Sequence, residues 1–413
     1  MSTAEEKRCL NAIIVAVNQA CAGGKKRWYA STLELQLASR GFCMACRSVP
    51  TLKVRVEHQT PRSLWCRPKV HTGMDKRNSE KNRILSRVPI VRALHLTWTL
   101  PMEDLVQSAA IELWKWSSVL HLRGSFSARS TVSMTWPQAL EELVLDTDDE
   151  LALEEMFLPS CLERLRLGDT FNQPITGVAW PASLQQLSFG NYFDQSVAGA
   201  VWPISLQQLS FGRYFDQPVA KAVWPASLQQ LSFGYCFNQP IAGVKWPASL
   251  QQLSFGLSFN QPITAAMWPD SLQVLSLGYM FNQPITRVVW PASLQQISFG
   301  DKFDQLIVGV VWPASLQQLS FGRDFNQAIV GVVWPASLQQ LSFGDEFNQP
   351  ITGVVWPASL QQLSCGEDFN QPISEVEWPA SLQQLSFGYY FNQPIAGAVR
   401  SLRSVTREGI NLL

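Results

Sequence analysis

The sequence is dominated by a 22-residue motif that recurs without insertion or deletion over most of the chain. Its consensus is Trp-Pro-Ala-Ser-Leu-Gln-Gln-Leu-Ser-Phe-Gly-x-x-Phe-Asn-Gln-Pro-Ile, followed by a few small residues. A period of this length is typical of a solenoid, in which each repeat packs only on its neighbours. The motif therefore excludes an ordinary globular core for this region. The tryptophans that mark the period are Trp180, Trp202, Trp224, Trp246, Trp268, Trp290, Trp312, Trp334, Trp356 and Trp378.

Each repeat has a short stretch in which apolar and polar residues alternate. In one copy Leu187 and Phe189 are the apolar members, and this period of two predicts a strand with one buried face. We expect Gly190 to follow the strand because a side chain there would crowd or strain the backbone. We also expect Asp194, an Asn in most copies, to cap the bend of its own repeat. Prolines such as Pro218 keep a helix from starting on the outer side.

Stacking should bring equivalent residues of successive repeats together. A single repeat buries too few apolar side chains to offset the cost of ordering its backbone, so stability must come from its neighbours. We therefore expect parallel pairing of the strands and ladders of Trp, Leu and Phe. We also expect the strand glutamines to form a flat neutral face on which their amides bond to each other.

The motif also resembles known families. Its Leu-x-x-Leu-x-Phe/Leu core resembles the leucine-rich repeat, and Phe-Asn-Gln-Pro-Ile resembles the FNIP-repeat family, over residues 136–399. The resemblance implies a leucine-rich-repeat-like solenoid with one parallel β-sheet of short strands and an irregular, helix-poor outer side. It also implies a protein-interaction scaffold. Some relatives carry an F-box, but residues 1–90 have no F-box pattern. Asn172 follows Leu167 by five positions instead of the usual three, so the bend can differ in detail.

The ends of the array are predicted to differ from its middle. Leu94-His95-Leu96 and Leu120-His121-Leu122 look like degraded copies of the strand core. Terminal repeats are atypical because they must shield an open core and a free strand edge. We divide the chain into a basic, poorly ordered or small helical segment (1–90), degenerate capping repeats (91–135), twelve 22-residue repeats (136–399) and a shortened C-terminal cap (400–413). Within the first segment, a helix is predicted near residues 4–22 and no regular structure over 40–87.

Charge is distributed unevenly along the chain. Residues 1–100 carry 18 basic and 6 acidic residues, whereas the remainder carries 14 and 26, so the formal total is zero. Such a division can mark a basic arm for an acidic partner, or two halves that neutralise each other. Contact with nucleic acid through the basic segment is a third-ranked hypothesis, because the segment matches no known nucleic-acid-recognition motif. No apolar run is long enough for a membrane helix, and we expect no membrane association.

The eight cysteines lack the spacing of a disulfide framework, which favours a cytoplasmic or nuclear protein over a secreted one. One group has a weak resemblance to a zinc site. Two thiolates at a C-x-x-C spacing can hold one face of a zinc ion, but the second half of the group is not convincing. We therefore predict no metal and no cofactor. The residues of this weak candidate are Cys43, Cys46, Cys66 and His71.

Variation between copies is concentrated in the two positions after the conserved glycine, which we name the variable strip. Solenoids bind partners through exposed positions of this kind, and Tyr is common in interfaces. The competing interpretation is that these positions are merely the least constrained. The candidate partner-binding residues are Tyr192, Arg213, Tyr214, Tyr235, Tyr279, Asp301, Arg323, Asp324, Asp345, Glu346, Glu367, Asp368, Tyr389 and Tyr390.

The residue content argues against an enzyme. All four histidines precede residue 136, so the array has no imidazole base beside its many serines. The leading hypothesis is a monomeric scaffold that presents the variable strip to a protein partner. The alternative is a structural or drifting repeat array without a fixed ligand.

Overall fold

A computed structural model describes residues 136, 140–147, 153–395, 404–407 and 410–411, together with the backbone of four strands nearer the N-terminus. The metal candidates and the helix predicted near residues 4–22 lie outside the described residues. The strands are β1 (Thr32–Ala38), β2 (Thr51–His58), β3 (Val91–Thr97), β4 (Val119–Gly124), β5 (Glu142–Thr147), β6 (Arg164–Leu167), β7 (Gln186–Ser188), β8 (Gln208–Ser210), β9 (Gln230–Ser232), β10 (Gln252–Ser254), β11 (Val274–Ser276), β12 (Gln296–Ser298), β13 (Gln318–Ser320), β14 (Gln340–Ser342), β15 (Gln362–Ser364), β16 (Gln384–Phe387), β17 (Ser404–Arg407) and β18 (Ile410–Asn411).

The chain divides into two units, of which the first comprises residues 1–173 and 178–184. Its strands β1, β2 and β3 pair in antiparallel fashion, and β3 to β6 pair in parallel. The parallel register aligns Leu94, Leu120, Leu143 and Leu165. The two Leu-His-Leu triplets therefore lie in the same register as the regular strand core. A 3-10 helix, Leu153–Glu155, follows β5.

Strand β2 lies in the part of the first unit for which the sequence interpretation proposed no regular structure. Its sequence, Thr-Leu-Lys-Val-Arg-Val-Glu-His, alternates apolar and charged residues, which is the pattern of a half-buried strand. The high Arg and Lys content of the surrounding segment concealed this short alternation. Pairing with β1 and β3 supplies the hydrogen bonds that such a strand needs.

The second unit comprises residues 174–177 and 185–413 and is a regular solenoid. Strands β7 to β16 recur every 22 residues, and the strands from β7 to β17 pair in parallel and in register. The central residue of each three-residue strand, Leu in all but β12, is buried, whereas the residues on either side, usually Gln and Ser, are at least partly exposed. At the C-terminal edge β17 aligns Val405 with Leu385, and β18 folds back antiparallel onto β17. The predicted fold class is confirmed.

Ladders of aromatic rings fill the interior of this solenoid. Ring centroids of the strand phenylalanines lie 5.4 Å apart between Phe189 and Phe211, and those of the next ladder lie 6.0 Å apart between Phe193 and Phe215. The Trp ladder is wider still, with 6.3 Å between Trp202 and Trp224. Because the spacing grows from the sheet towards the tryptophans, the coils diverge on the outer side, which is convex.

The glycine after each strand is required by the close approach of neighbouring coils. A Cβ on Gly322 would lie 2.2 Å from the carbonyl oxygen of Gly300, which is too close for two non-bonded atoms. Glycine recurs at this position because the neighbouring backbone leaves no room for a side chain. A different glycine serves the outer turn. Gly331 has a φ of +87°, and a Cβ added there would meet open space. Glycine is therefore favoured at this position only because other residues are strained at a positive φ.

Polar ladders join the coils at the bend. Asp194, for which the sequence predicted a capping role at the bend, accepts hydrogen bonds from the next coil. Its Oδ1 lies 2.9 Å from the backbone nitrogen of Asp216 and 3.0 Å from Nε2 of Gln217. The predicted bonding between strand glutamines is wrong for the described residues, because the amides that donate belong to the Gln after each Asn or Asp.

Candidate protein-interaction surface

The variable strip lies on the turn that follows each strand and its glycine. The second residue of each pair donates its backbone N–H to the carbonyl of the first residue in the preceding coil. Tyr214 donates to Asn191, Asp324 donates to Asp301, and each bond is 2.8 Å long. Since only backbone atoms make these bonds, the turn accepts many side chains without losing its geometry. The strip is therefore a rigid row of exposed and freely variable positions.

The first part of the strip is an aromatic–arginine cluster made by Tyr192, Arg213, Tyr214 and Tyr235. The rings of Tyr192 and Tyr214 stack with centroids 5.0 Å apart. The Arg213 Cζ lies 5.5 Å from the Tyr214 ring centroid and 4.8 Å from that of Tyr235, within cation–π range. All three tyrosines remain at least 40% exposed. The cluster presents aromatic area and a guanidinium group on one surface.

The middle of the strip contains apolar side chains and ion pairs. Leu257 and Met280 are exposed, and Tyr279 is half-buried. The Nζ of Lys302 lies 2.7 Å from Asp324 Oδ2, and this hydrogen bond raises the lysine's pKa. A weaker ion pair joins Arg323 and Glu346 at 4.0 Å. Among the predicted site residues, Tyr279, Asp301 and Asp324 are thus only partly available for an external partner.

The strip ends in an acidic group, defined by Asp345, Glu346, Glu367 and Asp368. All four side chains are exposed. Arg323 is the one cation paired with this group among the described residues, so the group carries excess negative charge. Beyond it Tyr389 and Tyr390 lie edge to face, with centroids 5.0 Å apart. The strip therefore offers an aromatic and cationic end and an acidic end.

A second exposed surface, on the convex side, was missed in the sequence interpretation. The residue before each Trp is exposed, and in most coils it lies in an extended segment between a buried residue and a buried Trp, so its side chain points outwards. We name four consecutive valines of this column the outer ridge; their exposed fractions run from 79% to 81%. The sequence signal for this surface is the recurrence of a large apolar residue, usually Val, directly before Trp. The outer ridge comprises Val289, Val311, Val333 and Val355.

The sheet face holds a shallow groove of about 340 Å³ across β12 to β16. Rows of Gln and Ser line it and buried Leu side chains form its floor. The strand serines also bond along the row, as between Ser298 and Ser320 at 2.6 Å. No group of three metal-ligating side chains occurs in the part of the chain that the structure describes. None of the helices described there is long and apolar enough to cross a membrane.

Comparisons with known proteins agree with this architecture. A family model described as FNIP Repeat matches residues 150–192, 193–236, 237–280, 281–324, 325–368 and 369–399, nearly all of these matches spanning about two coils. No curated protein matches the sequence.

Two solved structures are also similar to this chain. CroV588, described as a novel circular LRR protein, is 33% identical, with a TM-score of 0.56. The match covers 76% of this chain and 59% of that one, so this chain spans less than two thirds of that protein. The internalin InlF from Listeria monocytogenes str. 4b F2365 is 13% identical over 75% of this chain and 85% of its own, with a TM-score of 0.43.

Proposed function

This chain belongs to the FNIP-repeat family, and from that premise we propose that it is a non-enzymatic scaffold that binds a protein partner through the variable strip. Leucine-rich-repeat solenoids generally act as interaction scaffolds, which supports the class of function. The observation that carries the proposal is the backbone ladder under the strip, which holds exposed side chains in a rigid row. Rigid presentation lowers the entropy that is lost when a partner binds.

The chemistry of the strip indicates what kind of partner fits it. The aromatic–arginine cluster provides amphipathic rings and a guanidinium group, which are the side chains that most often dominate binding energy. The acidic group favours a basic segment, because complementary charge accelerates association and selects among partners. We therefore expect a partner with an apolar or acidic region and, further along the solenoid, a basic region. An enzyme role has no support in the array, where the strand serines bond to each other.

The test is capture of a partner by the full chain from an extract of its native cells, followed by affinity measurement with the purified partner. The first variant combines Tyr192→Ser, Tyr214→Ser and Tyr235→Ser, and we expect it to lose about 100-fold in affinity or more. The second combines Asp345→Asn, Glu367→Gln and Asp368→Asn. Its loss should be larger at low salt, because exposed charges are screened.

The matched control changes exposed apolar residues away from the strip. Val201→Ser with Val223→Ser should leave the affinity unchanged, since both exposed side chains precede a Trp on the convex side and lie outside the outer ridge. A partner that binds the two strip variants as tightly as the native chain contradicts the proposal. Absence of any saturable partner favours the alternative, a structural array without a fixed ligand, which the near identity of the copies also supports.

A further inference from the structure

The outer ridge is an exposed apolar surface with no partner in the described chain. The outer segments around its last three tryptophans (residues 306–315, 328–337 and 350–359) contain no charged residue, and the equivalent segment of the first (284–293) contains one, the exposed Arg287. Beside the ridge lie exposed alanines and, in two coils, the part-exposed Val308 and Val330. Contiguous apolar surface of this kind marks an interaction site in a soluble protein. The variable strip occupies the turns after the strands, so it does not account for this surface.

Two residues of opposite charge flank the outer ridge within the same column. The residue before Trp is Lys245 on the N-terminal side of the ridge and Glu377 on its C-terminal side, and both are exposed. Lys245 lies three coils before Val311, and Glu377 lies three coils after it. Between them are the outer ridge and the exposed Met267. From Lys245 to Glu377 the column therefore consists, in chain order, of one cation, five apolar residues and one anion.

We propose that the outer ridge is an isologous interface with a second copy of this chain, arranged antiparallel about a twofold axis at Val311. In a twofold interface the same patch meets itself, so each residue faces its counterpart across the axis. The axis places Val311 against Val311 and Val289 against Val333. It also places Lys245 of each copy against Glu377 of the other.

Charge complementarity selects this arrangement among the possible ones. If the two ridges ran parallel about a twofold axis, Lys245 would face Lys245 and Glu377 would face Glu377, which is unfavourable. If an antiparallel pair shifted by one coil, both charges would face apolar residues. Only the axis at Val311 joins the two ion pairs and keeps the apolar residues together.

The convex side also suits these side chains. Two surfaces that curve away from each other meet most closely at the centre and separate towards the ends. Val311 is short and lies at the centre, whereas Lys245 and Glu377 are long enough to reach across the wider gap. Six coil-to-coil steps separate Lys245 from Glu377. At the 6.2 Å spacing between the ring centroids of Trp290 and Trp312, these six steps give the proposed interface a length of about 37 Å. Five extended residues give a width of about 16 Å.

These dimensions predict a weak dimer. They correspond to about 600 Å² on each copy, below the roughly 800 Å² of a standard interface. We therefore expect a dissociation constant in the micromolar range, on the order of 10 μM. The monomer expected from the sequence would then be the form present at low concentration only.

The experiment measures the mass of the full chain by sedimentation velocity and light scattering between about 1 and 200 μM, a range that brackets a micromolar constant. The native chain should shift from monomer to dimer. Val311→Arg should raise the dissociation constant by about 100-fold or more, since two buried like charges would meet on the axis. Val201→Arg, in the same column but five coils away from the axis, should leave it unchanged; Val201 is 71% exposed.

Charge reversal tests the register. Lys245→Glu and Glu377→Lys should each weaken the dimer by about tenfold, and the double variant should restore it. Thermal melting by circular dichroism checks the fold, and Val311→Ser replaces Val311→Arg if the arginine variant does not fold. A native chain that stays monomeric at 200 μM overturns the proposal, as does a dimer that is insensitive to both changes at Val311. A double variant weaker than each single variant overturns the antiparallel register.

Discussion

The glycine after each strand leaves no room for a side chain, and this can be tested by adding a single methyl group at Gly322. A Cβ there would lie 2.2 Å from the Gly300 oxygen, 2.3 Å from its carbonyl carbon and 2.5 Å from Asp301 Cα. Ordinary contact begins near 3.4 Å. All three neighbours are backbone atoms, so relief requires the two coils to separate by about 1 Å.

That separation weakens the hydrogen bonds between the coils. The nearest is the 2.8 Å bond from the Asp324 nitrogen to the Asp301 oxygen, with a 2.9 Å bond from the Phe299 nitrogen to the Ser320 oxygen beside it. Overpacking costs about 1–3 kcal/mol and each lost bond about 1 kcal/mol. We therefore expect Gly322→Ala to lower the local free energy of unfolding by about 3–5 kcal/mol.

Gly331→Ala is the matched control, because open space surrounds this glycine and only its positive φ is unfavourable for alanine. It should cost about 1–2 kcal/mol. Hydrogen exchange at the Asp324 amide measures local opening, which suits a repeat array whose unfolding need not be two-state. If Gly322→Ala exchanges no faster at this amide than Gly331→Ala, close approach is not the reason for the glycine.

Four other changes test separate parts of the structure. Trp312→Phe should alter the free energy of unfolding by less than about 1 kcal/mol in urea denaturation, because the buried indole N–H has no hydrogen-bond partner among the described residues and its removal offsets the lost apolar area. Asn326→Ala should cost about 2–3 kcal/mol in the same assay through loss of its two cross-coil bonds, whereas Asn326→Asp should be nearly neutral. Burial raises the pKa of the Cys365 thiol, so the contribution of this group to the free energy of unfolding is complete below the unfolded pKa of about 8.5. Above that pH the free energy of unfolding falls by up to about 1.4 kcal/mol per pH unit. Cys365→Ala should remove this slope from the free energy of unfolding measured between pH 8 and 10. Deleting residues 400–413 removes β17 and exposes the edge of β16, so static light scattering should increase, and unchanged scattering would contradict the capping role.

The candidate surfaces show where interpretation of the sequence was sufficient and where it was not. The variable strip could be located from the sequence because its two positions differ between copies whose core residues do not. The contacts between residues of the strip could not be predicted from the sequence. The bond between Lys302 and Asp324, for example, joins residues 22 positions apart, and their distance in space depends on how the coils stack. The outer ridge was missed because a valine in a stretch of small residues gives no sign of its orientation until the Trp beside it is known to be buried.

The sequence by itself determined the period, a short strand around the Leu-Ser pair, the turn at Gly and the stacking of equivalent residues, because alternation and exact repetition are local properties. The tertiary structure decided what each recurring residue of the motif does. Gly322 leaves room for the backbone of the neighbouring coil, and Asp194 bonds to the next bend. In a solenoid most partners of a residue lie one period away, so spacing predicts that two residues meet, but only three-dimensional packing determines which atoms touch and which side chains remain exposed to another molecule.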